Sequence, residues 1–129
     1  MRMYKEITIS IVIVIAVLTG HFITQNFTKK NVGLLTDELN ILEEKLLQQS
    51  YSEANEQIEK IQFKIDEVHH KLSYYIEHEE IEKIETTYTA CKSLIKTKDY
   101  NLAINEIEKT IFVLNHMTDK YSFSLDNIF

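Results

Sequence analysis

Hydrophobic and polar positions follow two different rules along this chain. From Ile7 to Ile23, seventeen consecutive residues carry no charge and most are β-branched or aliphatic. Beyond Leu35 the apolar residues recur at alternating steps of four and three, with lysines, glutamates and other polar residues between them. Leu35, Leu39, Leu42 and Leu46 make the first such stripe; Ala54, Ile58, Ile61, Ile65, Val68 and Leu72 make the second. Ile81, Ile84, Tyr88, Cys91 and Ile95 follow, then Ala103, Ile107, Ile111 and Leu114. This spacing puts one apolar face on each of four helices, and strand-like alternation is nowhere sustained.

The uncharged run predicts a membrane-spanning helix. Seventeen residues at about 1.5 Å each rise roughly 26 Å, close to the minimum for a hydrocarbon core about 30 Å thick. Tyr4 and Phe27 flank it like interfacial aromatics, and Lys5, Lys29 and Lys30 have stems long enough to reach headgroups. In lipid every backbone amide must bond within the segment, which makes a lone span helical despite its β-branched content. A cleaved export signal is the competing reading, but the run exceeds the usual ~7–15 residues and His21 and Phe22 follow Thr19-Gly20 where small residues would mark a cut. His21, Thr8, Ser10 and Thr19 are read as interfacial or self-bonded polar groups rather than an ion path.

Capping residues mark the expected boundaries, because glycine and proline are missing from the body. Residues 24–36 read as a polar stretch with Gly33 as its one flexible point, and Thr36 before Asp37-Glu38 as the cap of the first soluble helix. Ser50 with Glu53 has capping-box spacing, and Asp99 suits the start of the last helix. The third stripe loses register after Tyr75, so a turn, or a bend in one helix, is expected around Glu77–Glu79. A repeat strengthens the hairpin reading: the segment 50–60 aligns with 99–109, matching a cap, Tyr, Ala, Ile, Glu and Lys at a shift of 49. The same shift sets Leu39 on Tyr88, Leu42 on Cys91 and Leu46 on Ile95. The Tyr-x-x-Ala is locally similar to a tetratricopeptide repeat, whose 34-residue period it lacks. The predicted fold is therefore all-α: a tail (1–6), a transmembrane anchor (7–27), a linker (28–36), a four-helix bundle of two hairpins (37–118) and a C-terminal tail packed on it (119–129).

Charge separates the same parts. Residues 1–30 hold four basic side chains against one acid, whereas residues 31–129 hold ten lysines against nineteen acids. The acidic body disfavours nucleic acid as a partner. With only Gly20 and Gly33 there is no phosphate loop or nucleophile elbow, and the single Cys91 has no partner within the chain for a disulfide. Candidate chemistry narrows to His78, Glu79, Glu82 and His116, which a metal-dependent or carboxylate enzyme would use. His78 lacks the second histidine of a zinc-binding His-Glu-x-x-His, however, and acids such as Glu79 and Glu80 suit a helix start. Tyr74, Tyr75, Tyr121 and Phe123 are read as packing at helix ends.

Residues 76–85, Ile95-Lys-Thr-Lys-Asp99, Leu114-Asn-His116 and the closing Leu125-Asp-Asn-Ile-Phe129 resemble the bacterial family called domain of unknown function 4363. The resemblance covers nearly the whole chain, although the tryptophan frequent in that family is absent. It implies a short, membrane-anchored helical protein of Gram-positive bacteria, singles out His78, Glu79, Glu80, His116, Asn127, Ile128 and Phe129 as a structural or interaction motif, and carries over no catalytic residue. The expectation is a non-enzymatic interaction or scaffold module without a cofactor. Its N-terminus would be cytoplasmic and its helical body at the outer face of the cell membrane, where it would bind an envelope protein or itself. A secreted helical protein released by signal cleavage is the remaining alternative.

Overall fold

A computed structural model describes residues 2–126, with side-chain surroundings through residue 119. Every element in it is helical: α1 (Arg2–Leu47), α2 (Tyr51–Leu72), α3 (His78–Lys96) and α4 (Tyr100–Asp126). The all-α fold of two hairpins is the one the periodicity predicts. α1 packs on both α2 and α4, α3 packs on α4, and α2 and α3 touch least closely.

The main departure concerns the expected linker. No break separates the apolar run from the first bundle helix: α1 passes through residues 28–36 as one helix of 46 residues, about 69 Å long. The reason is register. Thr28 and Val32 lie seven and three residues ahead of Leu35, steps of four and three that extend its stripe, and both are buried. Thr36 accordingly caps nothing; it lies inside the helix with its hydroxyl buried. Gly33 also stays helical, at a cost of about 1 kcal/mol relative to alanine, which the surrounding packing outweighs. The α2–α3 turn falls at residues 73–77, slightly ahead of its predicted place, and the expected C-terminal tail continues α4 to Asp126. Ser50 occupies the cap position of α2, but its side chain makes no capping bond.

The hairpins close by another device. Gln49 and Lys98 adopt positive φ, 61° and 62°. At each, two bonds reach back into the preceding helix: Ser50 N–H to Lys45 O at 2.9 Å and Gln49 N–H to Leu46 O at 3.1 Å, then Asp99 N–H to Leu94 O at 2.8 Å and Lys98 N–H to Ile95 O at 3.0 Å. Both are Schellman turns, built without the glycine that usually supplies the left-handed residue. They are themselves 49 residues apart.

That shift organises the core. It maps α1 onto α3 and α2 onto α4, and pairs Val32 with Ile81, Leu35 with Ile84, Ala54 with Ala103, Ile58 with Ile107, Ile65 with Leu114 and Val68 with Met117; every one of these is buried. The repeat-related Tyr51 and Tyr100 stack on one another, with ring centroids 4.0 Å apart and planes within 9°. Their contact places the pseudo-two-fold relation between the two turns. Symmetry is broken where Tyr88 replaces Leu39: the buried ring fills the looser α2–α3 side, and its hydroxyl donates to Ile58 O at 2.7 Å. It is broken again where Thr110 replaces Ile61, its hydroxyl donating to Glu106 O at 2.8 Å and meeting Thr87 Oγ1 at 2.9 Å.

Three substitutions test these points. Tyr88→Phe removes the bond to Ile58 and should destabilise the protein by about 1 kcal/mol in thermal melts of the detergent-solubilised chain. Gln49→Gly and Lys98→Gly relieve the left-handed strain and should each stabilise it by roughly 0.5–1 kcal/mol. A loss of stability in the glycine variants would contradict the turn geometry.

Candidate functional site

The motif residues lie at the end of the bundle from which the apolar half of α1 emerges. Glu77 precedes α3, and His78 opens it. Nε2 of His78 lies 3.2 Å from Oε1 of Glu82 one turn later, as the i,i+4 spacing allows. From α2, His69 pairs through Nδ1 with Glu85, and its ring meets that of His78 edge-on at 6.2 Å. Glu79 is exposed, whereas Glu80 turns inward to 6% exposure, with Lys83 at 3.7 Å. His116 stands exposed on α4, stacked on Phe112 with ring centroids 6.3 Å apart. Asn127, Ile128 and Phe129 lie outside the described residues.

Among the described residues, no group of three or more histidine, cysteine or carboxylate side chains is placed to hold a metal ion. Two half-buried acidic groups on α1, Glu38 and Glu43, flank the core stripe. Glu38 accepts from the Gln57 amide at 2.6 Å and faces Lys60 and Lys64 at 3.6 and 3.7 Å. Burial acts to raise its pKa, but the Gln57 bond and the two ammonium groups outweigh it and hold the carboxyl below its ordinary value. Glu43 on α1 shows the reverse: burial and a hydrogen bond with Glu108 of α4 push its pKa up. Burial also pushes the Cys91 thiol up to about 12 and raises the Tyr88 phenol. Neither group is ionised near neutrality, so neither is an activated nucleophile.

A model of the family "Domain of unknown function (DUF4363)" matches residues 22–128. The chain belongs to that family. The match begins near the end of the apolar run, so it covers the bundle half of α1 and essentially all of α2 to α4. No curated protein and no solved structure matches the chain. Membership in the DUF4363 family therefore brings no activity with it, and the reading of function rests on this chain's own residues.

Sequence reasoning identified the i,i+4 partner of His78 because that contact lies within one helix. The partnership of His69 with Glu85 and the Tyr51–Tyr100 stack cross between helices; only the repeat, which aligns the two tyrosines, hints at the latter. The Glu43–Glu108 pair supplies a pH test. A carboxyl whose folded pKa is raised stabilises the fold while protonated, and that contribution is lost as pH rises through the folded value. Glu43→Gln mimics the protonated form. Its melting temperature should exceed that of the wild type by roughly 1–4 °C near pH 7 and match it near pH 4.

Proposed function

We propose that this protein is a single-pass, membrane-tethered helical module with no catalytic chemistry of its own, which holds an acidic bundle at the outer face of the cell membrane to bind an envelope protein or a second copy. One observation carries the tether. The apolar half of α1 is long enough to cross a bilayer and none of it is buried by the rest of the chain. Ile9, Ile11, Val12, Ile13, Val14, Ile15 and Val17 are all more than half exposed, an apolar surface that water would not tolerate uncovered.

The continuity of α1 favours an anchor over a removed signal. Cleavage near Gly20 would cut within an intact helix, eight residues before the first buried bundle position, Thr28. The interaction role is supported by apolar side chains left on the bundle's outside: Leu47, Phe63, Leu102 and Phe112 are each at least half exposed. The N-terminus is assigned to the cytoplasm because short tails of this kind normally stay inside.

Expression in the native host tests both halves of the reading. The intact N-terminus should stay in the membrane pellet after alkaline carbonate extraction, and an external protease should reach the bundle. Crosslinking in native membranes should trap a defined partner or a homodimer. A processed N-terminus in the medium would replace the tether with secretion, and crosslinking that recovered neither partner nor dimer would defeat the interaction role.

A further inference from the structure

α1 contains no proline and no left-handed residue before Gln49, so position along it converts directly into height above the bilayer. This step rests on the proposal that residues 7–23 span the membrane. α2 doubles back from the turn at Gln49, and its 22 residues cover the same rise as α1 from about Asn26 to Leu47. At the far end the Tyr75 hydroxyl lies 2.7 Å from Thr28 Oγ1, tying the α2–α3 turn to α1 at that level. The turn thus stands level with residues 26–28, three to five residues or roughly 5–8 Å beyond Ile23. Headgroups fill a layer about 5–7 Å deep on each side of the hydrocarbon.

At that height the turn presents Tyr74, 80% exposed, touched edge-on by the His70 ring at 6.2 Å. An amphipathic ring with one apolar body and one polar tip is what the interfacial layer selects. Lys29 and Lys30 are exposed on α1 at the same level, and Lys71 is exposed one turn before Tyr74. Acids are present too: Glu67 pairs with Lys71 at 3.7 Å, and Glu77 and Glu79 are exposed. With these charges mixed, the aromatic ring and not net charge defines the contact. A helix tilt of about 20° acting over the ~10 Å between helix axes moves the turn by only 3–4 Å.

We propose that the α2–α3 turn is a second membrane contact, with Tyr74 seated among lipid headgroups, so that the bundle stands on the bilayer rather than swinging above it. The chain has no tryptophan, so single substitutions report position. Three full-length variants at exposed sites serve: Phe22→Trp in the apolar run, Tyr74→Trp at the turn, and Phe63→Trp, eleven residues before it on α2 and about 16 Å higher. Each is reconstituted in phosphatidylcholine vesicles, with and without bromine on the upper acyl chain, and titrated with iodide. Circular dichroism checks that the helices are retained.

Tyr74→Trp should emit to the blue of Phe63→Trp, be quenched by the brominated lipid, and be quenched by iodide to roughly a third of the extent at Phe63→Trp. Phe22→Trp should be quenched by bromine and not by iodide. If Tyr74→Trp behaves like Phe63→Trp while Phe22→Trp is quenched by bromine, the turn contact is overturned and the span stands. If Phe22→Trp is open to iodide, both fall.

Discussion

Helix continuity from Arg2 to Leu47 is the constraint on which the remaining structure depends. The same backbone ladder runs through a stretch with no protein around it and a stretch buried on two sides. Residues 7 to 20 are all exposed, yet from Thr28 onwards α1 supplies a buried position at every three or four residues and touches both α2 and α4. A flexible joint between the two would decouple them. An unbroken helix instead makes the bundle's orientation a consequence of the apolar segment's, because bending an α-helix sharply takes a cause such as a proline, a π-bulge or an inserted side chain.

The bundle around that helix is a duplicated hairpin adapted to asymmetric use. The 49-residue shift preserves the turn geometry and the buried stripes, but only the first copy carries the apolar extension: α3 begins at His78, the counterpart of Lys29. Differences between the copies fall where packing differs. Tyr88 in place of Leu39 bridges the looser side, and Thr110 in place of Ile61 turns a packing position into a hydrogen-bonding one. The stacked Tyr51 and Tyr100 join the two turns at the end farthest from the anchor. The stack thus joins the hairpins at their turns, and the Thr28–Tyr75 bond ties the α2–α3 connection to α1 at the other end.

Periodicity was sufficient for helix number, helix type and most of the core, because each stripe is a local property of a few turns. It failed at the junctions, where local signals compete. Thr36-Asp37-Glu38 has the composition of a helix start, but the stripe through Thr28, Val32 and Leu35 holds the same register across it, and packing prevails over capping preference. Gln49 and Lys98 were not legible as left-handed residues since neither is glycine or asparagine; the turn's back-bonds and the hairpin contacts hold them there. For the site, spacing found the His78–Glu82 contact within α3 but missed the His69–Glu85 pairing from a different helix. The long apolar helical run was legible from composition alone, whereas its continuity with the bundle was not.

The charge distribution gives that fusion a physical role. Nineteen acids against ten lysines beyond residue 30 make the body anionic, and a bilayer containing anionic lipid repels it over about a Debye length, roughly 8 Å at physiological salt. On a flexible tether such a body would spend its time away from the surface. With the proposed span in the bilayer, a continuous helix would remove that freedom, and the lysines at 29 and 30 would place positive charge where the bundle meets the headgroups. Under that proposal repulsion would no longer set the distance between bundle and bilayer; it would act on the sides of a body held upright by its span. The exposed Phe63, Leu102 and Phe112 lie on the outside of that body, the surface on which the proposed partner would dock.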